Sequence, residues 1–124
     1  MVTRRSPLWV PERAEIIFIQ YSPHIGREMP GDHPMLVFSA KAFAQRTGLV
    51  VGFPMTHSDQ HADNPFAIAA PGPNGEIGYV VTNQPKSFDW RSRDARPHSW
   101  GTGHTKLLDA ALKRFNSAFN ICDS

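Results

Sequence analysis

Eleven prolines and nine glycines scattered along 124 residues cut this chain into short pieces. Proline lacks a backbone donor and glycine loses the most entropy on ordering, so such pieces favour short strands joined by turns, in an all-β or α+β fold. Residues 15–21, rich in Ile and aromatics, read as a first strand that stops at Ser22-Pro23. Residues 24–33 read as a loop containing Gly26, Pro30 and Gly31, with Pro34 fixing its exit into a buried strand over 35–39. Residues 40–46 suit a short helical turn closed by Gly48, and the apolar run 49–55 suits a strand with Thr56 at its end. A polar loop over 57–64 precedes a strand around 66–70. Pro71-Gly72-Pro73-Asn74-Gly75 is a turn in which Asn74-Gly75 is expected to take the positive φ of hairpin connections. Further extended pieces follow at 76–82 and 86–90. The period then changes: Leu108, Ala111, Leu112, Phe115 and Phe119 recur at helical spacing, predicting an amphipathic helix over 105–119. The expectation is a small curled sheet carrying a C-terminal helix, one domain over 1–124.

The composition narrows the function. Hydrophobic residues make up 40% and mean hydropathy is −0.37. No run approaches the roughly 18 apolar residues that cross a bilayer, so no membrane role is expected. Met1 to Ser6 has an arginine pair but no apolar core of a secretory signal, and the lone Cys122 has no cysteine to pair with. Both point to the cytoplasm. The formal charge of +2 is a mild bias, but its distribution is informative. Between Lys86 and Lys106 lie five cations (Lys86, Arg91, Arg93, Arg96, Lys106) against Asp89 and Asp94, interleaved with Trp90, His98 and Trp100. Cations that track phosphates beside rings that stack bases suit single-stranded RNA, whereas a solvated face with two core tryptophans is an equal reading of the same residues.

Other chemistries fit less well. His57-x3-His61-x-Asp63 has the spacing of metal ligands but sits in a polar loop with no cysteine and no His-Glu-x-x-His helix, so neither metal nor other cofactor is expected. There is no Gly-x-Ser-x-Gly elbow and no phosphate-cradling Walker loop. His24, His61, His98 and His104 read as surface or structural residues.

Four segments in order carry a resemblance that covers nearly the whole chain from Pro11 onward. They are Glu15-Ile16-Ile17-Phe18-Ile19 with Ser22-Pro23 and Gly26-Arg27-Glu28; Gly31-Asp32-His33-Pro34 running into Met35-Leu36-Val37-Phe38-Ser39; Thr47-Gly48-Leu49-Val50-Val51 through Pro54-Met55-Thr56 to Asn64-Pro65-Phe66; and Asn83-Gln84-Pro85-Lys86-Ser87-Phe88-Asp89-Trp90-Arg91-Ser92-Arg93. In register they resemble the MazF/PemK toxins. That resemblance implies a mainly β, SH3-like small barrel of the CcdB/PemK/MazF type with a C-terminal helix. It further implies a homodimer, a cognate antitoxin with an acidic, partly disordered segment, and a type II toxin that cuts single-stranded RNA sequence-specifically without metal, inhibiting translation and growth. The chain departs from the family in two places: His33 stands where the family usually has an arginine, and Asn83 where many members have Asp. The alternative function is a non-enzymatic module on the same barrel, either a degenerate toxin that binds RNA or antitoxin, or a CcdB-like gyrase inhibitor. The gyrase version is disfavoured because those proteins end in Trp-Gly-Ile and this chain does not.

Metal-free RNA cleavage needs a base for the 2′-hydroxyl, donors for the charge gathering on the phosphorane oxygens, and an acid for the departing 5′-oxygen. Histidine exchanges protons near neutral pH where arginine stays charged, so His33 is the candidate proton-transfer residue. Thr56 is the candidate donor to a non-bridging oxygen. Glu28 is the candidate partner, either orienting His33 or itself taking the proton. Arg27 would supply fixed charge, and His57 a second acid or RNA contact. Asn83, Gln84, Lys86 and Arg91 complete the expected RNA-binding set.

Overall fold

The computed structural model describes residues 6–21, 32–57 and 61–119. Arg27, Glu28, His24 and Cys122, all named above, lie outside them. Among the described residues seven strands form one antiparallel sheet: β1 (Ile16–Gln20), β2 (Asp32–Val37), β3 (Leu49–Thr56), β4 (Ala67–Pro71), β5 (Ile77–Val81), β6 (Lys86–Asp89) and β7 (Arg96–Pro97). The order is β4-β5-β3-β2-β1-β7, with β6 also paired to β3. β3 is long enough to serve two partners on one edge. Its first half, Leu49 to Gly52, pairs with β6, and its end, Met55 and Thr56, pairs with β5. This change of partner curls the sheet, in keeping with the mainly β fold expected.

Two helices complete the fold. The short α1 (Lys41–Thr47) ends at Gly48, whose φ of 75° and N–H bond to the Ala44 carbonyl close it as the sequence suggests. The indole N–H of Trp90 donates to the same carbonyl at 3.0 Å, tying α1 to the residue that follows β6. The longer α2 (Thr105–Phe119) has the predicted bounds. It buries Leu108 and Ala111 against the sheet, with Leu112 and Phe115 partly covered.

Strand alternation divides the interior into two clusters on opposite faces of β1–β2–β3. On one face Ile17, Ile19, Met35, Val37 and Val50 pack with Trp90 and Ala44, joined by Tyr21 and Phe88. On the other, Ile16, Leu36, Phe53, Met55 and Val80 pack beneath α2. The register makes the assignment unambiguous: Ile17 faces Met35, and Met35 faces Pro54.

Three local expectations are corrected. β2 begins at Asp32 rather than Met35, so His33 is a strand residue opposite Ile19 and not part of a loop. A proline inside the strand hid it, since Pro34 cannot donate to a ladder and reads as a break. The turn at 71–75 gives positive φ to Gly75 (83°) but not to Asn74. The β4–β5 ladder runs on to Pro71 opposite Ile77, and the Gly72 N–H donates to the Glu76 carbonyl, leaving a three-residue connection with one left-handed glycine. Finally, β7 is a strand that no sequence pattern predicts, because two residues carry no period. No helix among the described residues is long and apolar enough to cross a membrane.

Candidate active site

Continuing the β2–β3 register of Met35 opposite Pro54 brings Pro34 level with Met55 and His33 level with Thr56. Pro34 has no N–H, so this rung of the ladder is incomplete. The Tyr21 hydroxyl fills it: it donates to the Pro34 carbonyl at 2.6 Å and accepts from the Met55 N–H. One oxygen thus stands between two strands that would otherwise close on each other. Burial pushes the Tyr21 phenol well above its ordinary pKa, the Met55 N–H opposing this, so the group stays a hydroxyl at working pH.

A cleft of about 240 Å³ opens at this point, lined by Tyr21, His33, Pro54, Met55, Thr56, His61, Val81 and Gln84. The His33 ring is exposed and meets the Tyr21 ring at a steep angle, 5.2 Å between centroids. Tyr21 in turn packs on Phe88 at 5.4 Å, and the Arg93 guanidinium caps Phe88 at 4.3 Å. Arg93 also donates to the Gln20 and Tyr21 carbonyls at 3.2 and 2.7 Å, while the Gln20 N–H bonds back to the Arg93 carbonyl. This clasp fixes the end of β1, from which the segment bearing Arg27 and Glu28 departs.

His33, Thr56 and Gln84 therefore share one cleft. Asn83 lies beside it, in the turn after β5, with Oδ1 buried and meeting no donor among the described residues. Lys86 pairs with Gly52, four residues back along β3 from Thr56, or roughly 13 Å at strand rise. Arg91 follows Asp89, the partner of Leu49 at the far end of β3, more than roughly 20 Å from Thr56. Its guanidinium lies 4.3 Å over the buried Trp90 ring. The structure does not bring Arg91 to the cleft.

His57 is separated from it in another way. One residue beyond Thr56, it points to the α2 face, where its ring stands edge-on to Trp100 at 6.1 Å and its Nδ1 lies 3.3 Å from the Ile77 carbonyl. His61, read above as surface or structural, lines the cleft instead. The missed signals are modest ones: a tyrosine just before Ser-Pro, and an asparagine three residues after His61. Two of the five cations between Lys86 and Lys106 are occupied within the protein. Arg93 is held as described, and Arg96 pairs with Asp32 and Asp94. Among the described residues no three of His, Cys, Asp or Glu converge to hold a metal ion.

What the cleft can do follows from its inventory. It offers one exposed imidazole, one hydroxyl at a strand end, a second imidazole and an amide, over a floor fixed by backbone and Tyr21. Those polar groups, His33 and Thr56 on strands and His61 and Gln84 on the segments beside them, rim a mainly apolar floor of Tyr21, Pro54, Met55 and Val81, a combination that can meet both a charged oxygen and the face of a base.

Comparisons with known proteins agree on one family. Residues 12–119 match the family model described as the PemK-like, MazF-like toxin of type II toxin-antitoxin systems. The endoribonuclease toxin MazF of Escherichia coli (strain K12) is 30% identical over 87 residues, covering 70% of this chain and 76% of that one. The endoribonuclease PemK of Escherichia coli is 31% identical over 98 residues, 77% of this chain and 71% of that one. Among solved structures, MazF in a MazE–MazF crystal from Deinococcus radiodurans superposes with a TM-score of 0.80 at 27% identity, over 92% of this chain and 99% of that one.

Proposed function

The chain belongs to the PemK-like, MazF-like toxin family of type II toxin-antitoxin systems, and on that premise we propose that the cleft between β2 and β3 is where it cuts RNA. The protein is an endoribonuclease toxin. The observation that supports the assignment of the site is that His33 and Thr56 line one cleft beside the β2–β3 rung that the Tyr21 hydroxyl bridges.

The reaction assigned to this cleft is attack of the ribose 2′-oxygen on the adjacent phosphorus. His33, or Glu28 from outside the described residues, takes the 2′-hydroxyl proton as the new O2′–P bond forms. The Thr56 hydroxyl donates to a non-bridging oxygen as negative charge gathers there. The P–O5′ bond then breaks, and the departing oxygen takes a proton from whichever of the pair is protonated. The ends are a 2′,3′-cyclic phosphate and a 5′-hydroxyl. Gln84, in the cleft, and Lys86, opposite Gly52 on β3, would hold flanking nucleotides.

An antitoxin is the partner, as MazE is for the Deinococcus radiodurans MazF. We further propose that the working unit is a homodimer, that the antitoxin contributes an acidic, partly disordered segment, and that the pair acts in the cytoplasm. The exposed apolar side chains Phe43, Leu49, Ile77 and Phe119 are surface that such partners would cover.

The test is cleavage of matched RNA and DNA oligonucleotides in excess EDTA, with the ends identified by mass. RNA should be cut to cyclic phosphate ends and DNA left whole. His33→Ala should lower kcat by about a hundredfold or more while RNA binding survives. Cut DNA, 5′-phosphate ends or strict dependence on added metal would overturn the chemistry. RNA binding without cleavage would instead identify a toxin that has lost its activity.

A further inference from the structure

His61 stands on the wall of the cleft, and its surroundings decide which ring nitrogen carries its proton. The Asn64 amide Nδ2 lies 3.3 Å from His61 Nδ1. The other end of the same amide is committed: Asn64 Oδ1 accepts from the Phe66 N–H at 2.9 Å. Reversing the amide would set its NH₂ against that N–H, donor against donor, so the orientation is fixed. Nδ2 therefore donates and Nδ1 accepts, which leaves the ring proton on Nε2. The turn itself is closed by the Asn64 N–H bonding to the His61 carbonyl at 3.1 Å, so residue and orienting group are parts of one rigid unit.

The cleft has a use for such a donor. Among the described lining residues there is no Lys or Arg, and His33 stands where the family usually carries an arginine with its fork of donors. A phosphate between His33 and Thr56 would find few N–H groups among the described walls.

Resting on the ribonuclease reading of this cleft, we propose that His61 is a further catalytic residue: it donates a hydrogen bond from Nε2–H to a non-bridging oxygen of the phosphate being cleaved. Its role is that of a hydrogen-bond donor, since Nδ1 is taken up by the Asn64 amide. Its place is beside Thr56 in holding charge, with His33 moving protons.

The test compares His61→Ala and His61→Gln in steady-state cleavage of one RNA oligonucleotide across pH. Glutamine can present its amide N–H close to where imidazole Nε2–H was. His61→Ala should lower kcat roughly tenfold to a hundredfold with KM changed by less than about threefold. His61→Gln should recover most of that loss, and both should keep the wild-type pH profile. A glutamine variant as impaired as the alanine one, with a limb missing from its profile, would make His61 a proton carrier and overturn the proposal. Full activity of His61→Ala alongside loss in His33→Ala would overturn it while leaving the ribonuclease site intact. Full activity of both variants would instead remove the cleft as the site. Nitrogen-15 NMR of the imidazoles gives a readout free of turnover. His61 should show the Nε2–H tautomer, and its ring signals should move on adding an RNA oligonucleotide blocked by one 2′-deoxy sugar. An Nδ1–H tautomer, or no movement at saturating oligonucleotide, would also overturn it.

Discussion

The Tyr21 hydroxyl satisfies two backbone groups at the rung that Pro34 leaves incomplete, accepting from Met55 N–H and donating to the Pro34 carbonyl. Tyr21→Phe removes that oxygen, so either both groups lose a partner or β2 and β3 close directly and narrow the cleft. Urea unfolding should show a loss of about 1–3 kcal/mol, the usual cost of buried groups left unpaired. Cleavage should fall about tenfold as His33 and Thr56 shift. Wild-type stability together with wild-type kcat would remove Tyr21 from this role. Because folding raises the phenol's pKa, its contribution is complete below its ordinary value near 10 and is lost only as pH rises beyond that, so the bridge is intact at neutral pH. His57 gives the opposite prediction. Adjacent in sequence to Thr56 but facing Trp100 on the α2 side, it should be dispensable for chemistry. His57→Ala should retain kcat within about threefold in the same assay, and a hundredfold loss would restore it as an acid. Adjacency on a strand puts neighbours on opposite faces, and that alternation is what a motif read along the chain does not show.

At the scale of the element, β3 carries the design. It must pass under β2 closely enough to place Thr56, and Gly52 permits this. A Cβ at Gly52 would stand 2.5 Å from the Leu36 carbonyl oxygen and 2.7 Å from Met35 Cγ. Both are in β2, so the strand rather than a loose side chain would have to move. Gly52→Ala should destabilise by about 1–3 kcal/mol and reduce cleavage, because the shift is carried along β3 to Thr56. A urea midpoint equal to wild type would show that the pair has slack. How legible each element was follows from the same physics. α2 was legible to its ends because Leu108, Ala111 and Phe115 bury one face at a period only a helix has. β3 was legible as an apolar run with Thr56 at its end. The start of β2 was not, because Asp32-His33-Pro34 has the composition of a turn, and only its pairing with β1 makes it a strand. β7 is held by two rungs to β1 and by Arg96, neither of which a local pattern records.

Over the whole molecule, charge was the part of the site hardest to read, because a sequence gives a cation without its partner. Arg93 and Arg96 belong to the basic stretch that suggested RNA, yet one clasps the end of β1 and the other pairs with Asp32 and Asp94. His98, in the same stretch, shows what the interior does to a titratable group. It is 9% exposed, its ring lies 4.4 Å from Phe18 and 5.4 Å from Trp100, and its Nδ1 accepts from the Trp100 N–H at 3.0 Å. Burial, with repulsion from His57 and His104 outweighing the opposing pull of Glu76, lowers its pKa from 6.5 to about 4. A depressed value means that the folded state binds this proton less well than the unfolded chain. The stabilisation is therefore complete above pH 6.5 and drains away as pH falls toward 4, by roughly 3 kcal/mol in all. His98 joins β1, through the bond from its N–H to the Ile16 carbonyl, to the Trp100 segment that leads into α2. Its protonation should thus loosen the α2 side before the Tyr21 side. Unfolding free energies at pH 7, 5.5 and 4.5 should fall steeply in wild type and less in His98→Asn, whose Oδ1 keeps an acceptor for Trp100 without titrating. Equal slopes in the two proteins would place the acid sensitivity elsewhere.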